Sequence, residues 1–411
     1  MVPVELNRRI LVFDLSIHGH HAAYIKHLIR YWFKSKLSGE LFVVVSPRFF
    51  EAHADVIQFA AAFDSSKVNF IAIGSEEEAV LSSRQSRFGR VFRNLREWNL
   101  LQKYAEALAA THCLLMYLDT CELPLMLGSR LPCLFSGIYF RPTFHYSSLA
   151  GYTPDWKERL QQWREKLFLS RTLNHPRMRS LFCLDPFVIK YLNPPASADV
   201  VSLPDPVETT LPRGKDSQAI RNDLGIDSDR IVFLLFGSFE AERKGIYQFL
   251  AALLLLPDEL ARKVCLLIAG NAGSAEQIRI KEQIDLVSER LPVQVITRFE
   301  FLSDELVKQY FQLTDVALAL YQRHVGMSGI LLLAAAAQKP VLSAGYGLMG
   351  ELVRRYQLGL TVDSTSVEDI KSGLTRCLLE PARALGNQNQ MQSFAEQNSA
   401  QRFAEVIFRH I

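Results

Sequence analysis

Hydrophobic positions along the chain fall into two patterns, short unbroken runs and longer stretches with apolar residues three or four apart. "RILVFDLS" (9–16), "ELFVVVS" (40–46), "KVNFIAI" (67–73), "HCLLMYLD" (112–119), "LPCLFSG" (131–137) and "SLFCLD" (180–185) are runs of the first kind. Parallel strands buried on both faces carry such runs. A glycine-containing loop, "IHGHH", follows the first run and predicts a helix from Ala22 to about Lys36. In "RQSRFGRVFRNLRE" (84–97), Phe88, Val91, Phe92 and Leu95 stand at i, i+3, i+4 and i+7, the stripe of an amphipathic helix. Arg84, Arg87, Arg90, Arg93 and Arg96 wrap its remaining surface, because a three-residue repeat drifts around a 3.6-residue helix. "DVVSLPDPVE" (199–208) reads as a strand running into a proline-marked link, and the polar "TTLPRGKDSQAIRND" (209–223) marks a boundary.

Beyond that boundary the alternation begins again. Strands are predicted at "IVFLLFG" (231–237), "KVCLLIAG" (263–270), "VQVIT" (293–297), "DVALALY" (315–321) and "PVLSA" (340–344). Helices are predicted from Ile246, around 274–290, around 303–313 and over 329–337, with two more after the last strand. Strand–helix alternation on this scale predicts an α/β chain of two parallel-sheet domains facing each other across a cleft. The expected division is a first domain over 1–208, a linker over 209–230, a second domain over 231–385 and a C-terminal helix over 386–411 that packs back on the first domain.

The segment "VGMSGILLLAAAAQKP" (325–340) stands out. A helix with no polar side chain from Gly329 to Ala337 is expected to be buried on every side, yet its first N–H groups need partners. Ser328 can cap one of them, and Gly326 and Gly329 leave room for an outside group. The positive end of the helix dipole favours an anion there, a phosphate above all. Lys339 and Pro340 suit its other end. The alternative is a plain core helix, capped by Ser328, whose glycines permit close packing. Arg243 and Lys244 in "GSFEAERKG" stand before another helix start and would close a diphosphate clamp, with Lys244 facing solvent. Against this, Glu240 and Glu242 could neutralise both cations in a solvated turn.

Composition narrows the classes. The chain has 411 residues, 49% hydrophobic and 22% charged, enough for two domains of ordinary size and unlike a disordered chain. A net charge of +3 does not suggest a nucleic-acid partner. The six cysteines lack metal-site spacing and read as reduced core residues. The N-terminus has no signal-peptide core, and the longest apolar stretches fall short of the ~20 residues of a membrane span, so a cytoplasmic protein is expected. The arginine-rich helix has two readings, solvated arginines over a packed stripe or a peripheral contact with the inner face of an anionic membrane. His18, His20 and His21 invite a metal, but neighbours on one loop rarely converge. Gly19, His20 and His21 are read instead as facing substrate, and Arg141 and His145 in "SGIYFRPTFHY" as an acceptor pocket or a packed loop.

Taken together, "FGSFEAERKG", "LLIAGNAG", "TRFEF", "TDVALALYQ" and "AAAAQKPVL" resemble, in order and spacing, the donor lobe of GT-B glycosyltransferases of family 4 (glycosyl transferases group 1). The resemblance covers roughly residues 231–380. It implies two Rossmann-like domains and a nucleotide-diphosphate sugar as donor substrate, with no cofactor or metal. Transfer would go to an acceptor hydroxyl, lipid-linked or glycan, with retention of configuration. It implies catalytic roles for Lys244 and Arg243, diphosphate contacts from Met327, Ser328, Gly329, Gly237 and Ser238, and a nucleotide base beside Phe299, Glu300 and Phe301. Four positions depart from the family. Ser238 stands where an arginine is usual, Gln338 where a glycine is usual, and Val325 and Leu333 where paired glutamates recognise sugar and ribose. The alternative implied by that last departure is an inactive GT-B protein that binds nucleotide, glycan or a partner.

Overall fold

The computed structural model describes residues 8–411, except 18, 64–66, 83–86, 129, 141, 150–151, 193–196, 209–216 and 240–242, and the side chains of 82–91 and 122. Contacts divide the chain into two units. The first comprises 1–145, 154–206 and 400–411, the second 146–153 and 207–399.

Seven parallel strands form the first sheet: β1 (Arg9–Asp14), β2 (Glu40–Val45), β3 (Val68–Ala72), β4 (His112–Leu115), β5 (Leu134–Tyr139), β6 (Met178–Cys183) and β7 (Asp199–Ser202). Their order is β3-β2-β1-β4-β5-β6-β7. Six parallel strands form the second: β8 (Ile231–Phe236), β9 (Val264–Ala269), β10 (Gln294–Arg298), β11 (Val316–Ala319), β12 (Val341–Ala344) and β13 (Gly359–Val362), ordered β10-β9-β8-β11-β12-β13. Helical crossovers join successive strands, as parallel pairing demands, with a 3₁₀ turn at Val188–Tyr191 between β6 and β7. In each sheet the order reverses beside the first strand of the unit, between β1 and β4 and between β8 and β11. A two-unit α/β fold of this kind is the architecture expected from the alternation.

Several short helices escaped the pattern, and so did two elements of more consequence. Strand β13 is only half-buried along its length and starts at a glycine, so it lacks an apolar run. The helix Trp156–Leu173, fixed at its start by a reciprocal capping box between Asp155 and Glu158, carries apolar residues on both its buried and its exposed face, so no simple amphipathic period marks it. The arginine-rich helix runs from Arg87 to Ala107, longer than its sequence pattern. Arg84 lies outside the described residues, as do the side chains of Arg87 and Arg90. Arg93 pairs with Glu97 at 2.8 Å, and Arg96 donates to the Val80 carbonyl at 3.0 Å.

The last helix, Ala400–His410, belongs to the first unit. Phe403 is fully buried with its ring 4.8 Å from that of Tyr24, and Phe408 packs 5.4 Å from Trp32. Polar ties support the docking, since Ser180 Oγ donates to the His410 carbonyl at 3.0 Å and Arg8 to that of Ile411 at 2.9 Å. Among the described residues no helix is long and apolar enough to cross a membrane. All six cysteines are buried and unbridged. Phe403→Ala is expected to cost about 3–5 kcal/mol, seen as a lower urea midpoint for the first unit, because a fully buried aromatic leaves a cavity.

Candidate functional site

The site is built where the second sheet reverses, at the carboxyl ends of β8, β9 and β11, the position where open α/β sheets bind ligands. Three glycines let the loops there press together. Gly237 ends β8 at φ +124°, and a Cβ on it would stand 2.5 Å from Lys244 Nζ. A Cβ on Gly270, at φ +136°, would meet the Gly237 carbonyl oxygen at 2.1 Å, and one on Gly245, at φ +69°, the Leu320 carbonyl oxygen at 2.2 Å. Any larger residue would push the loops apart.

This crowding turns Lys244 inward. Its side chain was expected to face solvent, but the residue is only 6% exposed. The ammonium donates to the Phe236 carbonyl at 2.9 Å and to the Tyr321 hydroxyl at 2.5 Å, and lies 4.4 Å from the Tyr321 ring centroid. Burial lowers the Lys244 pKa from its ordinary value; the Tyr321 hydroxyl opposes that shift and the Arg243 charge adds to it. Arg243 stays exposed, its guanidinium 5.7 Å from the same ring. Ser328 Oγ in turn donates to the Tyr321 hydroxyl at 2.9 Å and accepts the Ile330 N–H at 3.4 Å, capping the helix Gly329–Ala336. Lysine, tyrosine and serine thus form one hydrogen-bonded chain that ends at a helix N-terminus. Tyr321 was not singled out from the sequence. Its signal was an aromatic residue placed directly after an apolar strand.

The capped helix is not buried on every side. Gly329 is exposed, and Leu333, Ala336 and Ala337 are half-buried. These residues share one face, so a stripe of the helix remains open. Nothing lies within 4 Å of the position a Gly329 Cβ would take. Among the described residues the amides of Met327, Ser328 and Gly329 make no hydrogen bond. The geometry is an open, positively polarised helix start with a buried cation one phenol away.

The departures from the family have structural counterparts. Leu333 lies one turn past Gly329 on the open stripe and presents an apolar side chain. Val325 uses its carbonyl to accept the Leu348 N–H at 3.0 Å. Glu351 is paired with Arg354 at 3.6 Å. Gln338 ends the helix at φ +55°, a left-handed conformation in which a glycine is relaxed. Ser238 is half-buried, and the next residue, Phe239, is held by its N–H to the Asn271 carbonyl at 2.8 Å. Phe299 packs its ring 6.2 Å from Phe239, while Glu300 is exposed and Phe301 is 93% exposed.

In the first unit, Gly19 and His20 lead into the helix His21–Lys34 after β1, with His20 at its N-cap. His21 Nδ1 lies 2.7 Å from the buried Asp14 carboxylate. His20 keeps an exposed face but stacks on His21, Tyr24 and Phe140, and desolvation by these rings, with the neighbouring His21 charge, lowers its pKa to about 4. His145 is fully buried, 2.7 Å from Asp185 and stacked 4.9 Å from Tyr191. His18 and Arg141 lie outside the described residues. Among the described residues no three His, Cys, Asp or Glu side chains converge as a metal site would require.

The fold is that of a GT-B protein, two Rossmann-like parallel-sheet units. Residues 216–398 match the model of the family described as glycosyl transferases group 1. A D-inositol 3-phosphate glycosyltransferase of Rhodococcus opacus (strain B4) is 29% identical over 203 residues, which is 48% of this chain and 44% of that relative, so the match spans less than half its length. Among solved structures, a sucrose-phosphate synthase from Thermosynechococcus elongatus superposes with a TM-score of 0.67 at 14% identity, covering 98% of each chain. An α,α-trehalose-phosphate synthase (UDP-forming) from Burkholderia xenovorans, solved with glucose-6-phosphate, gives 0.63 at 12% identity, covering 98% of this chain and 99% of that one. At such identities the structural likeness establishes the fold alone.

Because Lys244 is buried and doubly bonded, Lys244→Ala is expected to lower stability by about 1–3 kcal/mol, the cost of leaving the Phe236 carbonyl and Tyr321 hydroxyl without their donor. Urea denaturation measures it; an unchanged midpoint would place the ammonium in solvent.

Proposed function

We propose that the chain transfers a sugar from a nucleoside-diphosphate donor to an acceptor hydroxyl, without a metal and with retention of configuration. The observation that carries the reading is the open Gly329 amide end beside the Ser328–Tyr321–Lys244 chain. As the anomeric bond breaks, negative charge grows on the leaving diphosphate. The amides of Met327, Ser328 and Gly329, the helix dipole, and the cations of Lys244 and Arg243 are the groups that would stabilise it. Donors fixed before the reaction act without reorganising, which replaces the usual work of a metal ion. Retention follows from the family resemblance. The exposed Phe301 and its neighbours Phe299 and Glu300 are offered as the base side. A uridine diphosphate donor and a sugar-phosphate or polyol-phosphate acceptor are the first candidates, after the named chemistry of the relatives.

A second reading keeps the nucleotide and loses the transfer. It is favoured by Val325 and Leu333, which offer no carboxylate to ribose or sugar. The two readings part in one experiment. A thermal-shift panel of UDP, GDP, ADP and TDP should show stabilisation by one of them, worth about 2.7 kcal/mol at a hundredfold excess over Kd, since only the folded chain binds. Release of free sugar from the matching nucleotide sugar then favours transfer, and stabilisation without release favours binding alone. Arg243→Ala, at an exposed position, should weaken nucleotide binding by roughly tenfold while leaving the melting temperature of the free protein unchanged. No shift with any nucleotide contradicts both readings.

A further inference from the structure

The helix Trp156–Leu173 carries a feature that sugar transfer does not use. Its inward face is fixed: Glu165 accepts from the Tyr139 hydroxyl at 2.9 Å and from Thr143 Oγ1 at 2.5 Å, and Phe168, Leu169 and Leu173 are buried in the core of the first unit. Its outward face is therefore set by packing. There Trp156 is 71% exposed, Leu160 52%, Trp163 61% and Leu167 36%, spaced i, i+4, i+7 and i+11. One continuous apolar stripe thus runs along the helix, facing solvent. Leu127, 67% exposed, stands beside its far end, where Arg171 donates to the Met126 carbonyl at 3.3 Å.

Exposed basic residues flank the stripe on both sides. Lys157, Arg164 and Arg171 run along one edge, Arg159 and Lys166 along the other. The helix's acidic side chains are engaged elsewhere, Glu158 in the capping box and Glu165 in the core. Lys157 lies 5.6 Å from the Trp156 ring.

We propose that this face is a membrane-docking surface that lies flat on an anionic bilayer. Tryptophans favour the depth between headgroups and acyl chains, and leucines between them dip further in. Basic residues at the margins then meet lipid phosphates, so both the apolar and the charged parts of the face are matched. A second copy of the chain is a poor occupant, because a two-fold contact through one stripe would bring the same basic margins together. The placement differs from the arginine-rich helix, which the sequence pattern had suggested for such a contact.

Flotation with lipid vesicles tests the proposal, with the full chain as it stands. The protein should float with vesicles of phosphatidylcholine and phosphatidylglycerol in equal parts, remain behind with phosphatidylcholine alone, and detach in high salt. The tryptophan emission should move to the blue on binding. Trp32 and Trp98 are already buried, so that shift reports Trp156 and Trp163. Trp156→Ser with Trp163→Ser, and separately Arg164→Glu with Lys166→Glu, should each weaken vesicle binding by about tenfold or more with an unchanged circular dichroism spectrum. The proposal is overturned if the protein ignores the mixed vesicles or if the tryptophan variant binds them equally well. A concentration-dependent dimer that the same variant abolishes would overturn it in favour of a second copy.

Discussion

The buried ammonium of Lys244 is the interaction on which the second unit's edge depends. An unpaired cation in an apolar interior is costly, and this one is tolerated because a carbonyl and a phenol accept from it at once. Those bonds require Gly237, Gly245 and Gly270 to let three loops close around it, and they require Tyr321 to stand at the end of β11. Tyr321 then reaches Ser328, so the position of one charge fixes the start of the helix Gly329–Ala336. The remaining surface of that helix start stays open. The proposed diphosphate site rests on this arrangement, a dry cation joined through one hydroxyl to the residue that caps the helix.

Much of this was legible in the residues. Continuous apolar runs placed the strands, because a strand covered on both faces by helices needs apolar side chains on both. The 329–337 segment was legible as a helix capped by Ser328, and the Arg243–Lys244 pair as standing just before the helix that starts at Ile246. The direction of Lys244 was not legible, since it follows from how closely two glycine loops approach, which no local pattern encodes. Tyr321 escaped for the same reason: its role arises from partners 77 and 7 positions away. Strand β13 and the helix Trp156–Leu173 escaped because each departs from its expected period, the first through half-burial and the second through an apolar stripe on the wrong face.

That stripe is the feature on which the proposed membrane contact of the first unit rests. The helix capped by Asp155 is held to the core through Glu165 and Phe168, which leaves Trp156 and Trp163 turned outward by construction. The Asp14–His21 pair, at the reversal of the first sheet, occupies the place that Lys244 and Ser328 occupy in the second. One fold logic, repeated, has put a buried carboxylate and an imidazole at one edge and a buried ammonium and open amides at the other.

The most direct measurement is a titration of glycine-selectively labelled protein with uridine diphosphate, followed through the Gly329 backbone amide. The account predicts that this resonance moves progressively and saturates as the amide donates a hydrogen bond to the diphosphate, and that Arg243→Ala shifts the midpoint to higher ligand. A Gly329 resonance that stays in place while other glycines respond would contradict it, because the nucleotide would then be bound somewhere other than the helix start.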